Sequence, residues 1–333
     1  MDPLTQGVLG ASLPQSLAKA RDAASAGLLG FLAGMSADLD VLIRSTTDPL
    51  LFLEYHRQFS HSLIFIPFGG LLCALLLHVF IARRRGLPFR KTWLFCTLGY
   101  ATHALLDACT TYGTMLLWPF SEQRFAWNTI SIIDPLFTVP LLVGVILSWK
   151  KQRPRYVRLA LLWACCYMAL GLWQRNAAME MGYVLAAQRG HEPLRLEAKP
   201  SFANILVWKI VYETQRYYHV DAVRATWAPR VFPGAAVQKL EIARDMPWLD
   251  PLSQQARDIE RFRWFSNGYI ARDPNFSNRV IDIRYSMIPN EVAPLWSIEL
   301  QPGAAKEQHV AYKVHRDAGG GRAAQMWGMM TGG

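Results

Sequence analysis

Cysteine and charge are both scarce in this 333-residue chain, and each scarcity excludes a class of protein. Five cysteines in so long a chain exclude a small secreted domain that is held together by disulfides. All five lie in the first half of the chain: Cys73, Cys96, Cys109, Cys165 and Cys166. Only 18% of the residues are charged and 52% are hydrophobic, which excludes an intrinsically disordered chain.

Charge is also distributed unevenly along the sequence. Residues 1–176 carry 25 charges, 16 basic and 9 acidic, whereas residues 177–333 carry 35, 19 basic and 16 acidic. Because a bilayer core requires about 20 apolar residues per helix, the uncharged stretches of the first half predict five membrane spans: about 23–43, 62–82, 92–112, 130–149 and 158–176. The alternative is a soluble protein with five buried helices, but the second and fourth segments are apolar on all sides and leave no solvated face.

The basic residues predict the orientation of these spans. Twelve of the 16 basic residues of the first half form three groups at alternate ends of the spans: Lys19 and Arg21; Arg83, Arg84, Arg85, Arg90 and Lys91; Lys150, Lys151, Arg153, Arg155 and Arg158. Since Lys and Arg accumulate in cytoplasmic connections, we predict a cytoplasmic N-terminus without a removable signal peptide. This pattern explains most of the net charge of +10, so we expect membrane lipids as partners and no nucleic acid.

The second half has the character of a mainly β domain. Four segments are rich in β-branched and aromatic residues: Ile205–Tyr212, Tyr217–Arg224, Val280–Tyr285 and Leu295–Leu300. A helix over about Pro251–Phe265 interrupts them. The predicted fold is therefore an α-helical polytopic membrane protein over residues 1–176, followed by a periplasmic, mainly β (α+β) domain over 177–318 and a flexible, glycine-rich tail over 319–333.

Three carboxylates within the predicted spans are expected at one depth. Each lies 16 positions from a charged residue at the cytoplasmic flank: Asp38 from Asp22, Asp107 from Lys91 and Asp134 from Lys150. At about 1.5 Å per residue, this places them about 24 Å into a core about 30 Å thick. His61 lies slightly further, at the outer mouth. Because ionisable groups inside a span are costly, they are candidates for a functional site.

The residue types at this level predict a metal site. His103 and Asp107 are four positions apart and share one helix face. Together with three further side chains they form a mixed nitrogen and oxygen set that suits Zn²⁺, Mn²⁺ or Fe²⁺: Asp38, His56, His61, His103 and Asp107. The alternatives are that His103 and Asp107 form a structural pair and that Asp134, which precedes Pro135, caps a helix.

Two further residues have candidate catalytic roles. Asp38 and Asp40 lie about 200° apart on a regular helix, so both cannot bind one metal ion, and one of them is expected to cap the helix or to support a ligand from the outer shell. A spare carboxylate, Asp40 or Asp107, could act as the general base. Arg57 could hold a phosphate or stabilise developing negative charge. Its alternative role is that of an interfacial arginine extending to lipid headgroups.

Several motifs at these positions resemble those of the YdjM/YbcI family over roughly residues 1–150. The matching stretches are the N-terminal MDPLTQGVLG, Asp38-Leu-Asp40, His56-Arg-Gln-Phe-Ser-His-Ser62, His103-Ala-Leu-Leu-Asp107, and Thr110-Thr-Tyr-Gly-Thr114 with Trp118-Pro-Phe. Members are described as membrane-bound metal-dependent hydrolases and as LexA-binding, inner-membrane-associated proteins. The resemblance implies a bacterial inner-membrane protein whose metal motifs map onto Asp38, Asp40, His56, His61, His103 and Asp107. Many members have His where this chain has Gln6.

Residues and resemblance together predict a membrane-bound metal-dependent hydrolase with its site at the outer face of the inner membrane. That depth favours a lipid or lipid-linked substrate, and phosphoester hydrolysis is the reaction that we expect. Two other functions fit the same residues. The carboxylates could form the relay of a transporter or proton-coupled channel, or the polar cluster could only lock the helices of a structural, partner-binding protein.

Overall fold

The computed structural model describes residues 1–226, 228–315 and 321–331. The chain forms two compact units. The first comprises Met1–Leu42, Tyr55–Leu172 and Phe202–Asn204, and the second comprises Ile43–Glu54, Trp173–Ser201 and Ile205–Gly333. The short segment 43–54 therefore belongs to the second unit, although its sequence neighbours on both sides belong to the first.

Seven α-helices precede the sheets: α1 Pro3–Leu17, α2 Ala23–Ser36, α3 Leu51–Tyr55, α4 Ile66–Leu77, α5 Phe89–Cys109, α6 Pro135–Lys151 and α7 Arg155–Gln188. Helix α1 was not predicted. It begins with Asp2, whose side chain accepts a hydrogen bond from the backbone N–H of Thr5 at 3.0 Å, and with Pro3 at the first helical position. Both features favour a helix start.

Glycines allow α1, α2 and α5 to pack backbone against backbone. A Cβ atom at Gly30 of α2 would lie 2.3 Å from the carbonyl oxygen of Gly10 in α1, and one at Gly99 of α5 would lie 2.4 Å from the carbonyl oxygen of Gly30. No larger residue fits at these contacts, and small residues are the usual means of close helix approach in membranes. The three helices are thereby fixed in register at the point where their polar residues meet.

Three helical segments are long and apolar enough to cross a membrane: Ala20–Leu42, Leu63–Arg85 and Arg155–Gln188. They correspond to the first, second and fifth predicted spans. Large apolar side chains of α4, such as Leu72 and Leu76, are exposed on the surface of the protein, as lipid-facing residues would be. Helix α5 is not among these three segments, and α6 has only 17 residues. Three of the five predicted spans are thus supported by the structure.

The second unit contains two antiparallel four-stranded sheets, which confirms the predicted β-rich C-terminal domain. The first sheet has the order β1 Arg195–Pro200, β2 Val207–Glu213, β3 Tyr217–Arg224 and β4 Arg230–Gln238. The second has the order β5 Ile270–Arg272, β6 Arg279–Asp282, β7 Trp296–Glu299 and β8 Ala311–Val314. Between them lie the short α8 Ile242–Asp245 and the longer α9 Gln254–Phe265, whose start is capped by Ser253.

Part of the tail that is predicted to be flexible over 319–333 is helical. Residues Arg322–Thr331 form helix α10, and Met329 is buried against Val207, Ala222 and Ile288. Burial of this apolar side chain opposes the mobility that the glycine content suggested. Residues 319–320 and 332–333 of the predicted tail lie outside the described residues.

Candidate metal centre

Four of the predicted ligands converge on one point in the first unit. The Nε2 atom of His61 lies 3.5 Å from an Asp38 carboxylate oxygen and 3.2 Å from an Asp107 carboxylate oxygen. The Nε2 atom of His103 lies 3.3 Å and 3.6 Å from the same two oxygens. His61, His103 and Asp107 are fully buried, and Asp38 is partly exposed. All four ligand atoms lie within 4.8 Å of one another.

Local structure explains how distant positions in the sequence reach this point. Asp38 lies on a 3₁₀ helix, Ala37–Leu42, that continues α2, and His61 ends a short 3₁₀ helix, Phe59–His61. His103 and Asp107 lie on successive turns of α5. Two rigid helices and one turn of the connection therefore supply the four side chains, and this arrangement favours a defined geometry.

These distances fit a tetrahedral divalent ion. Ligand atoms at about 2.0–2.2 Å from Zn²⁺ in a tetrahedron lie about 3.3–3.6 Å apart, and the four distances here run from 3.2 to 3.6 Å. Among the described residues, His61 Nε2 and His103 Nε2 have no hydrogen-bond partner of acceptable geometry. Asp107 Oδ2 has none either, although Arg57 Nε forms an ion pair with it at 3.0 Å. Buried polar atoms without partners are rare, and two imidazole nitrogens of this kind beside two carboxylate oxygens fit a bound cation.

The other nitrogen of each histidine is held by an acceptor. His103 Nδ1 lies 2.6 Å from the carbonyl oxygen of Gly34, which can only accept, so the Nδ1–H donates, and in the neutral ring the lone pair is on Nε2. His61 Nδ1 lies 3.2 Å from an Asp40 carboxylate oxygen and 2.9 Å from the Ser60 hydroxyl. Hydrogen bonds of this kind fix the tautomer and the ring orientation of metal-binding histidines.

Asp40 lies outside the group of four and links it to His56. Its carboxylate accepts from the backbone N–H of Arg57 at 3.0 Å and from the Ser60 hydroxyl at 2.7 Å, and it lies 2.8 Å from His56 Nδ1. A second possible ligand group, Asp38, Asp40 and His56, shares Asp38 with the first. Burial lowers the pKa of His56 although Asp40 opposes that shift, so the imidazole is neutral at pH 7 and able to act as a ligand.

Arg57 contacts the group of four through Asp107. Its Nε lies 3.0 Å from the Asp107 carboxylate, and its Nη1 donates to the Thr110 hydroxyl at 3.1 Å. The guanidinium also lies 4.9 Å from the ring centroid of Tyr112. Its backbone is left-handed, with φ of 65°, a conformation that costs a non-glycine residue of order 1 kcal/mol. That turn directs the N–H of Arg57 toward Asp40.

Two contacts of Asp107 come from the N-terminal stretch, which the sequence reasoning did not assign to the site. The Gln6 side-chain amide donates to Asp107 Oδ1 at 2.9 Å, and the amino group of Met1 forms an ion pair with the same oxygen. Gln6 is fully buried. The only signal in the sequence was the resemblance, because many members of the family have His at this position.

Asp134 lies elsewhere, although its depth was predicted to match. It is the N-cap of α6, where it accepts from the backbone N–H groups of Leu136 and Phe137 at 3.1 and 3.3 Å. The Tyr167 hydroxyl donates to both of its oxygens at 2.9 Å. The alternative prediction of a helix cap therefore describes this residue.

Comparison with known proteins gives the family. The sequence model of the YdjM inner membrane protein family matches residues 1–178, which is more than half of the chain. The chain belongs to the YdjM family. Its YdjM region includes every residue of the candidate metal centre, so the resemblance that the motifs indicated is confirmed. Together with the apolar helices, the family establishes a membrane protein of the inner-membrane type.

Two curated relatives share the YdjM region. The inner membrane protein YbcI of Escherichia coli (strain K12) is 38% identical over 110 residues, which are 31% of this chain and 60% of the relative. The uncharacterized protein YfhP of Bacillus subtilis (strain 168) is 26% identical over 139 residues, 41% of each chain. The matches thus span less than two thirds of either relative. No solved structure matches the chain.

Proposed function

We propose that this protein is a membrane-bound hydrolase that depends on a divalent metal ion held by Asp38, His61, His103 and Asp107. The observation that carries the proposal is the set of four ligand atoms within 4.8 Å of one another, whose nitrogen–oxygen distances are 3.2–3.6 Å. The two imidazole Nε2 atoms of this set are buried and have no hydrogen-bond partner among the described residues. Zn²⁺, Mn²⁺ and Fe²⁺ all suit imidazole and carboxylate ligands.

A divalent ion at this position would lower the pKa of a bound water and polarise a phosphoryl or acyl oxygen. Gly34 and Asp40 hold the two histidine rings with Nε2 toward the ligand point. Arg57 neutralises Asp107 and would stabilise negative charge that develops on a substrate. These residues supply orientation and electrostatic support, the two contributions that a protein adds to the chemistry of a metal ion.

Asp40 and His56 form the pair that we assign to proton transfer. The imidazole of His56 is 17% exposed at the side chain, whereas His61 and His103 are fully buried. With Nδ1 held by Asp40, His56 presents Nε2, either to accept a proton or, as predicted from the sequence, to bind a metal ion. The general-base role expected for Asp40 would thus be exercised through His56.

The proposed substrate is a phosphoester of a lipid or lipid-linked molecule, and the proposed location is the outer leaflet. Membership of an inner-membrane family supports this substrate class. The topology has a second support. Segment Ile43–Glu54 and the sheets form one unit, and the proposed topology puts both on the same side of the membrane. An even number of crossings must separate them, and the four predicted after residue 54 satisfy this condition.

Metal analysis of the purified full-length protein in detergent tests the proposal. We expect about one equivalent of a divalent metal in the wild type and none in His103→Ala. His78→Ala is the matched control, because His78 is bonded to Thr92 at 3.0 Å and lies outside the ligand group. Absence of metal in the wild type, even after reconstitution, would remove the proposed function.

A second measurement decides the reaction class. The metal-loaded protein and its His103→Ala variant are incubated with phospholipids and lipid-linked phosphates, and the release of the headgroup or phosphate is measured. We expect release by the wild type alone. A metal-loaded protein that hydrolyses none of them, and whose Asp107→Ala variant instead alters ion flux in liposomes, would favour the transporter over the hydrolase.

A further inference from the structure

Segment Ile43–Glu54 links two parts of the candidate site along the chain. Ile43 follows Asp40 by three positions, and Glu54 precedes His56 by two. The segment itself belongs to the second unit, with the sheets and helix α9. Its conformation therefore depends on contacts made within the C-terminal domain, and chain connectivity carries that dependence to Asp40 and His56.

One guanidinium dominates those contacts. Arg261, on α9, donates to both carboxylate oxygens of Asp48 at 3.0 and 2.7 Å, and its Nε donates to Glu54. It also donates to Asp258, four-fifths of a turn earlier on the same helix, at 2.9 Å. A planar fork that engages two carboxylates of one segment fixes both their distance and their angle, which lysine cannot do.

Apolar and polar contacts complete the attachment of the segment. Leu50 and Leu53 are buried, and the ring of Phe52 packs edge-on against Tyr312 with centroids 5.2 Å apart. His309 lies 2.9 Å from Asp258, whose side chain is fully buried. The Arg261 guanidinium thus contacts three carboxylates, those of Asp48, Glu54 and Asp258. Without its charge, their mutual repulsion would act on the segment.

We propose that Arg261 is a positioning residue for the metal centre. By clamping Asp48 and Glu54, it holds the second half of the segment, which leads into His56, so that His56 keeps its 2.8 Å contact with Asp40. The same Asp40 carboxylate lies 3.2 Å from His61 Nδ1. The role rests on the proposed function, since it concerns the affinity of the metal site. It gives the C-terminal domain, which lies beyond the family match to residues 1–178, a part in the chemistry of the YdjM region.

The test measures Co²⁺ affinity in three variants of the full-length protein. We expect Arg261→Ala to raise the Kd for Co²⁺ about tenfold or more, in the range found for residues that support metal ligands. Arg261→Lys keeps the charge without the fork, so a partial recovery is expected. Arg263 lies on the same helix and pairs with Glu260, away from segment 43–54, so Arg263→Ala should leave the Kd unchanged.

Hydrogen exchange of the same proteins separates positioning from a general loss of fold. In Arg261→Ala, amides of 43–54 should exchange faster while those of β2 keep their protection. If Arg261→Ala does not fold, Asp48→Asn removes the bidentate partner with a smaller change and should raise the Kd in the same direction. A folded Arg261→Ala or Asp48→Asn with the wild-type Kd would overturn the proposal. Failure of the wild type to bind Co²⁺ would instead overturn the proposed function itself.

Discussion

Replacement of Asp40 by Asn tests whether this carboxylate orients a ligand of the proposed metal ion or binds the ion itself. Asp40 lies outside the four-atom group and touches it through His61, whose Nδ1 is 3.2 Å from the carboxylate. The amide of Asn has nearly the same shape. It places either an NH₂ or a neutral oxygen where a negatively charged acceptor stood, and so weakens the hold on the imidazole.

The expected size of the effect follows from this position. Loss of a carboxylate that supports a metal-binding histidine costs about 10–100-fold in affinity, which corresponds to about 1.4–2.8 kcal/mol. Asp38→Asn changes one of the proposed ligands itself and should reduce the affinity more. Asp134→Asn is the matched control, since Asp134 is a buried carboxylate that caps α6 and contacts Tyr167; its variant should bind metal as the wild type does.

Competition between the full-length protein and a chromophoric chelator for Co²⁺ gives the affinities. The three variants are compared after metal removal and reloading in the same detergent. An Asp40→Asn protein whose Kd for Co²⁺ stays within twofold of the wild-type value would refute the orienting role. If that protein also lost hydrolysis, Asp40 would act as the general base that the sequence predicted.

Three other predictions address the fold. Gly30→Ala should destabilise the protein by about 1–3 kcal/mol because its Cβ would lie 2.3 Å from the Gly10 carbonyl; Gly328→Ala, in open space, should leave the thermal midpoint unchanged. Burial lowers the pKa of Lys209 to about 7. From pH 7 to 9 the unfolded chain therefore binds more protons at this residue than the folded protein does. The free energy of unfolding should rise over this range, by at most about 1.4 kcal/mol per pH unit. Lys209→Met should flatten that rise in the hydrogen exchange of β2, and an unchanged slope would contradict it. A periplasmic reporter fused after Gly333 should be active, and an inactive one would contradict the predicted orientation.

The strands differ in how well the sequence predicts them. Tyr217–Arg224 was predicted with its observed bounds, because β-branched and aromatic residues dominate it. The neighbouring β4 was missed, since Pro233 and Gly234 are typical of turns. In the structure β4 is an edge strand, where proline is tolerated. The register of its pairing with β3 shifts between Val220 and Ala222. At this point the Gly234 N–H donates to the Asp221 carboxylate.

Helix α1 was missed for a different reason. Buried residues of α1 include Gln6, Ser12 and Gln15 as well as small and apolar ones, so no apolar face marks it as a helix. Its burial depends on glycine contacts with α2, and such contacts between distant positions are not visible in a single sequence. Gln6 of this helix nevertheless donates a hydrogen bond to Asp107. The contact of the site that was not predicted therefore comes from the helix that was not predicted.

The prediction for Asp134 shows what counting residues along a span can establish. The same count of 16 placed Asp38, Asp107 and Asp134 at one level, but depth fixes only one of three coordinates. Asp38 and Asp107 converge because Gly30 and Gly99 bring α2 and α5 together. Asp134 begins a helix, where unpaired N–H groups two and three residues ahead use its oxygens. A membrane carboxylate directly before a proline is therefore better interpreted first as a cap, and its depth supports a shared site only when it lies within a helix.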